Sequence, residues 1–315
     1  MLPGFCPTTA SPMVRVAKQQ SKQGGDGLVR FVNLDRNGTA VLAASTGGAY
    51  VELAKAAPDL PGDLKSLLAG GDAALAAARA AVDAAGSDAE VSLEGARYRS
   101  PIERPGKILC LGLNYADHAS ETQNQKPDYP VIFARHTNTL VAHGEVMLRP
   151  GCSEQFDYEA ELVAVIGRTC HGLSRDNALE AVAGYSCFND GSVRDYQFKS
   201  SQWTLGKNFD ATGGFGPVFV TADELPAGGR ELSIQCRLNG EVVQDANTSD
   251  MLFDVKEALE VITEVMTLEA GDLVVMGTPA GVGAARTPPL WMKDGDLCEV
   301  EIENIGVLSN PIRDA

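Results

Sequence analysis

Phe156-Asp157-Tyr158-Glu159-Ala160-Glu161-Leu162-Val163-Ala164-Val165-Ile166-Gly167 alternates with the period of a β-strand. Asp157, Glu159, Glu161 and Val163 fall on one side, and Tyr158, Ala160, Leu162 and Ala164 on the other. The pattern reads as a half-buried strand with three carboxylates on one face. Like charges so spaced repel. Two arrangements relieve that: an edge strand whose acidic face is solvated, or a strand whose carboxylates share a cation. Glu159 and Glu161, two residues apart on a rigid strand, suit a hard divalent ion such as Mg²⁺.

The surrounding polar residues extend this stretch. Asp190 ends the apolar run Tyr185-Ser186-Cys187-Phe188-Asn189 and precedes Gly191. Alone it reads as a turn residue. With Glu159 and Glu161 it completes an all-oxygen set that suits Mg²⁺, Mn²⁺ or Ca²⁺ rather than zinc or copper. Arg194, Gln197 and Lys207 follow and offer donors for a bound carboxylate or oxyanion; read blandly, they are loop polarity. Upstream, Ile108 to Leu113 is a buried-strand candidate ending in Asn114-Tyr115-Ala116-Asp117-His118-Ala119-Ser120-Glu121. His118 and Glu121 share a helical face, so Glu121 can orient His118 as a general base. The bland alternative is a surface Glu–His pair. His136, His143 and His171 lack such neighbours and read as surface-loop residues. Gly277-Thr278-Pro279-Ala280-Gly281 could cradle an anion by its amides, but does not match the phosphate-loop pattern.

The bulk of the chain sets limits. Its 315 residues carry a net charge of −16, which argues against nucleic acid and anionic membranes as partners. No apolar run reaches the roughly 18 residues of a membrane span. The seven cysteines are scattered, without a C-x-x-C pair, so neither a disulfide framework nor a zinc site is expected, and a reducing, cytoplasmic compartment is. Residues 1–27 read as an irregular start, and residues 1–100 as a small α+β module. The module has a hairpin around Asp35-Arg36-Asn37-Gly38 and helices over 64–68 and 73–85. Residues 101–315 form the catalytic region, where strands outnumber helices and hairpins recur. A helix is expected from Ser174 to about Val182, and another from Asp254 to Met266. With no βαβ rhythm, the sheet is antiparallel or mixed.

Taken in order, several segments resemble the fumarylacetoacetate hydrolase family. They are Gly112-Leu113-Asn114-Tyr115 with His118 and Glu121, Asp157-Tyr158-Glu159-Ala160-Glu161, and Asn189-Asp190. Arg194-Asp195 with Gln197, Gly206-Lys207, Asn247-Thr248-Ser249-Asp250-Met251 and Gly277 to Gly283 complete the series. The resemblance runs from about residue 105 to 312 and is loose before residue 100. It implies an α+β, mostly β fold: a mixed β-sandwich roll, usually homodimeric, behind a small N-terminal α+β module. It implies Mg²⁺, with Mn²⁺ or Ca²⁺ as alternatives, on Glu159, Glu161 and Asp190. It makes His118, Glu121 and Lys207 catalytic, with Arg194, Gln197, Thr278, Tyr115 and Arg135 on the substrate side. Many members carry lysine where Arg135 stands, and arginine is not a neutral replacement. The implied activity is hydrolytic C–C cleavage of a 2,4-diketo acid, of acylpyruvate or diketo-deoxy sugar acid type, through an enolate held at the divalent ion. The rival reading is tautomerisation, isomerisation or decarboxylation of a 2-oxo acid such as oxaloacetate or a hydroxymuconate derivative.

Overall fold

The computed structural model describes residues 29–121 and 127–315, and for residues 118–120 the backbone alone. The irregular start and the His118 side chain lie outside the described residues. The acidic stretch is not half-buried: every residue from Phe156 to Ile166 is buried. It forms two strands, Phe156–Asp157 and Ala160–Ile166, separated at Tyr158 and Glu159. Leu162, Ala164 and Ile166 face one apolar cluster, while Val163 and Val165 continue the carboxylate side into another. Alternation read the strand as half-buried because it could not show that both faces are covered.

Strand 160–166 lies at the centre of a 12-stranded sheet. It pairs antiparallel with Val182–Asp190 on one side and Leu273–Val275 on the other. Ile108–Gly112 runs parallel to 273–275 and carries Val131–Arg135 as its antiparallel neighbour. On the other side, 182–190 pairs with Gly213–Thr221. Arg30–Arg36 then joins 213–221, so the strands of the N-terminal module extend the same sheet rather than forming one of their own. Helices Leu64–Ala69 and Gly71–Ala84 cover one face through Leu64, Leu67, Leu68, Ala78 and Val82. A five-stranded sheet covers the other through Ile234, Cys236, Val300, Ile302 and Leu308. The result is the mostly β, mixed-sheet architecture expected.

Local chemistry explains the punctuation. Asn37-Gly38 and Asn239-Gly240 both adopt positive φ, as two-residue hairpin turns require. Asp254 caps Val255–Val265 by accepting from Glu257 N. The helix expected from Ser174 shrinks to a short 3₁₀ turn, Ala178–Ala181. Asn177 Oδ1 accepts the Ser174 amide at 2.9 Å in a local turn, and the backbone is already extended at Val182. His143 is buried rather than on a surface loop. Its Nδ1 accepts from Ser309 N at 3.1 Å, and its ring meets Tyr98 edge-on. No helix among the described residues is long and apolar enough to cross a membrane.

Candidate metal and substrate site

The break at Tyr158-Glu159 builds the site. Where the strand stops, side-chain amides replace ladder partners: Asn189 Oδ1 accepts Glu159 N at 3.1 Å, and Gln244 Oε1 accepts Ala160 N at 2.9 Å. Asp190, at the end of the neighbouring strand, donates its amide to Glu159 O. One ligand oxygen each from Glu159, Glu161 and Asp190 then lies within 4.8 Å of the others, all buried. Three ionised carboxylates in so small a buried volume need positive charge.

Protein cations supply part of it. Lys207 Nζ stands 2.6 Å from both Glu159 Oε2 and Asp190 Oδ2. Arg194 Nε donates to Asp157 Oδ2 at 2.8 Å, and its Nη2 pairs with Glu159 Oε1 at 2.7 Å. Arg135 Nη1 pairs with Asp190 Oδ1. Burial alone would lower the Lys207 and Arg194 pKa values, but the adjoining carboxylates outweigh it and hold both above the ordinary range. Counting Asp157, four buried carboxylates face three cations. Glu161 is the one without an ion-pair partner among the described residues. Its Oε2 accepts Gly277 N at 2.6 Å. Burial, then the Asp190 and Glu159 charges, push its pKa well above the usual value. The hard oxygen donors, their mutual distance and this uncompensated charge fit a divalent cation.

The other expected residues divide into two groups. Lys207, Arg194, Gln197 and Thr278 line a cavity of about 170 Å³ together with the three carboxylates. Arg194 Nη1 occupies Gln197 Oε1, which leaves the Gln197 Nε2 group to face the cavity. Arg135 does not line it. The guanidinium lies behind Asp190 and is bonded to Gly191 O, Thr212 Oγ1 and Thr139 Oγ1. Tyr115 does not line the cavity either: it is buried, in an isolated bridge with Met251, and near enough to Glu161 for that charge to act on its phenol. Glu121, on Ala116–Glu121, accepts Gly281 N at 2.9 Å. The glycine-rich loop therefore spends its amides on the protein's own acids: Gly277 on Glu161, Gly281 on Glu121, Gly283 and Ala284 on Asp157. Asp157 accepts four hydrogen bonds and is saturated by the protein, which makes it a support for the loop and Arg194.

Sequence reasoning missed Gln244. Its side chain bonds Ala160 N, Thr278 Oγ1 and Pro279 O, joining the acidic strand to the loop. The sequence marks Asn114 only as part of the Gly112-Leu113-Asn114-Tyr115 segment. Asn114 clamps Phe253 N, Phe253 O and Met276 O from full burial. Nothing in the local sequence around Gln244 marks it, because its partners are 34 to 84 residues away.

Fold and site together describe a buried acidic site that could hold a divalent cation, set in a mixed β roll. The fumarylacetoacetate (FAA) hydrolase C-terminal domain matches residues 107–313, and the chain belongs to that family. Among curated relatives, the mitochondrial oxaloacetate tautomerase of Xenopus laevis is 35% identical over 288 residues, covering 90% of this chain and 89% of its own. Among solved structures, the fumarylacetoacetate hydrolase of Exiguobacterium antarcticum superposes with a TM-score of 0.80 at 32% identity, covering 91% of this chain and 100% of its own. A 2-hydroxyhepta-2,4-diene-1,7-dioate isomerase from Mycobacterium marinum follows at 0.71 and 29%, covering 91% and 98%.

Proposed function

We propose that this chain interconverts the keto and enol forms of a small 2-oxo acid, as a tautomerase of the oxaloacetate type. The observation that carries the reading is the buried carboxylate centre with one uncompensated charge beside Lys207. The family's hydrolases, isomerases and tautomerases share the need to stabilise an enolate, and the long alignment with an oxaloacetate tautomerase favours proton transfer over hydrolysis.

Glu159, Glu161 and Asp190 would hold Mg²⁺, Mn²⁺ or Ca²⁺, and such an ion when bound supplies the positive charge that makes an enolate accessible. The chain's own groups do the rest. Lys207 Nζ, Gln197 Nε2 and the Thr278 hydroxyl are donors for the substrate's carboxylate and 2-oxo oxygens. Thr278 is free to donate because Gln244 Nε2 already donates to its Oγ1 at 2.8 Å. His118, oriented by Glu121, is the proposed acid–base group. In the keto-to-enol direction it takes the proton from C3 as that C–H bond breaks and delivers a proton to the 2-oxo oxygen, so atoms and charge balance. Gly281 N fixes Glu121 for this task. Leu113, Phe133 and Trp203 make one side of the cavity apolar. That surface is a poor seat for a hydrolytic water, whereas tautomerisation needs none.

Hydrolysis of a 2,4-diketo acid is the second reading, favoured by the likeness to the fumarylacetoacetate hydrolase structure. Enol-form oxaloacetate added to buffered protein with Mg²⁺ separates the two. The expected result is faster decay of the enol absorbance with no pyruvate released. Release of pyruvate from acetylpyruvate, with no effect on oxaloacetate enol decay, would overturn the tautomerase reading.

A further inference from the structure

The apolar side of the cavity has a specific construction. Trp203 immediately precedes helix Thr204–Lys207, four positions before Lys207, so both side chains project from one face of one turn. Its indole lies on Gly112, where a Cβ would run into the ring. It meets Phe133 edge-on, with ring centroids 5.5 Å apart and planes at 69°. Phe133 in turn stands 5.0 Å from Lys207 Nζ, so this aromatic pair borders the charged floor directly. The helix has little room to slide, because the Gln197 backbone abuts Gly206 where a Cβ would sit. Side-chain motion toward Gly112 is closed, and so is retreat of the backbone. The cavity volume, about 170 Å³, lies below the ~300 Å³ at which pockets for drug-sized ligands begin.

We infer that Trp203, backed by Gly112 and Phe133, is the specificity-determining wall of the site, admitting short-chain 2-oxo acids and rejecting those with a bulky or aromatic tail. The inference rests on the 2-oxo acid reading above and adds to it a size limit and the residue that sets it. A 2-oxo acid places its charged head against Lys207, Gln197 and the carboxylate floor, so its remaining carbons run toward the indole. A tail of one or two carbons stops short of the ring. A longer one requires the ring to leave a position that Gly112 was kept small to create.

Calorimetric titration of the Mg²⁺-loaded protein with 2-oxobutanoate, 2-oxohexanoate and phenylpyruvate tests this without turnover. The parent should bind 2-oxobutanoate best and phenylpyruvate least. Trp203→Ala should shift the phenylpyruvate-to-2-oxobutanoate affinity ratio by on the order of 10- to 100-fold toward the larger acid. Trp203→Phe should give a smaller shift. Ligand should quench tryptophan fluorescence in the parent and not in Trp203→Phe, where Trp291 is the remaining tryptophan. An unchanged affinity ratio in both variants, with Mg²⁺ binding intact, overturns the wall, as does a parent that binds all three acids equally. A parent that tautomerises oxaloacetate yet shows no size ranking loses only the wall. A parent that binds no 2-oxo acid loses the wall and the functional reading together.

Discussion

Asp157→Asn separates support from ligand more cleanly than any other change in the acidic stretch. Each Asp157 oxygen accepts two hydrogen bonds: Oδ1 from Tyr158 N and Gly283 N, Oδ2 from Ala284 N and Arg194 Nε, at 2.8 to 2.9 Å. An asparagine fits the space, but its NH₂ must face two donors whichever way it turns. The substitution also removes one of the two carboxylates paired with buried Arg194. Breaking a buried pair from one side costs about 3–5 kcal/mol. With an unfolding entropy of about 2.1 cal/mol/K per residue, the melting temperature should fall by about 5–8 °C. Glu159, Glu161 and Asp190 are untouched, so the ion should still bind. At 100 times Kd, Mg²⁺ stabilises by about 2.7 kcal/mol, or about 4 °C for this chain. Glu161→Gln is the opposite case. It breaks no ion pair, keeps an acceptor for Gly277 N, and removes the uncompensated charge. Its metal-free melting temperature should hold or rise, while its Mg²⁺ response disappears. Thermal melts of both variants, with and without Mg²⁺, decide the matter. An Asp157→Asn protein that melts with the parent, or that loses the Mg²⁺ response as Glu161→Gln does, would refute the division between support and ligand.

Two further outcomes follow from the same structure. Gln244→Leu leaves Ala160 N and Pro279 O buried without that partner and releases Thr278, so stability should fall by about 2–4 kcal/mol in urea unfolding. Mg²⁺ affinity should change less than turnover, since no proposed ligand is lost; equal losses would show that the loop and the ion site are one unit. His143, desolvated by burial, has its pKa lowered from 6.5 to about 4. Its folded value lies below its unfolded one, so the unfolded chain binds the extra proton and stability is lost as pH falls below about 6.5. At pH 5 this amounts to about 2 kcal/mol. His143→Gln should flatten that part of the pH–stability curve, and an unaltered slope between pH 7.5 and pH 5 would remove His143 as its cause.

Much of the site was legible because its chemistry is unusual at short range. Carboxylates at 157, 159 and 161 inside an apolar stretch demand an explanation that period-two alternation supplies in part. The hairpin turns at Asn37-Gly38 and Asn239-Gly240 and the Asp254 cap are equally local and were equally readable. Arg135 and Tyr115 show the opposite case. A motif position marks them, yet only packing decides whether they face a ligand or the back of another residue, and both lie outside the cavity wall.

By itself the sequence determined the strand period, the turns, the oxygen-only donor set and, through the order of its motifs, the family, because each depends on neighbours within a few residues or on residue type. Only the tertiary structure decided that the acidic strand is central and covered on both faces. It alone assigned Asp157 to Arg194 and the 283–284 amides, and left Glu161 without an ion-pair partner among the described residues. Those outcomes depend on which of several chemically similar groups, dozens of residues away, arrives within 3 Å. Alternation along one strand carries no record of that.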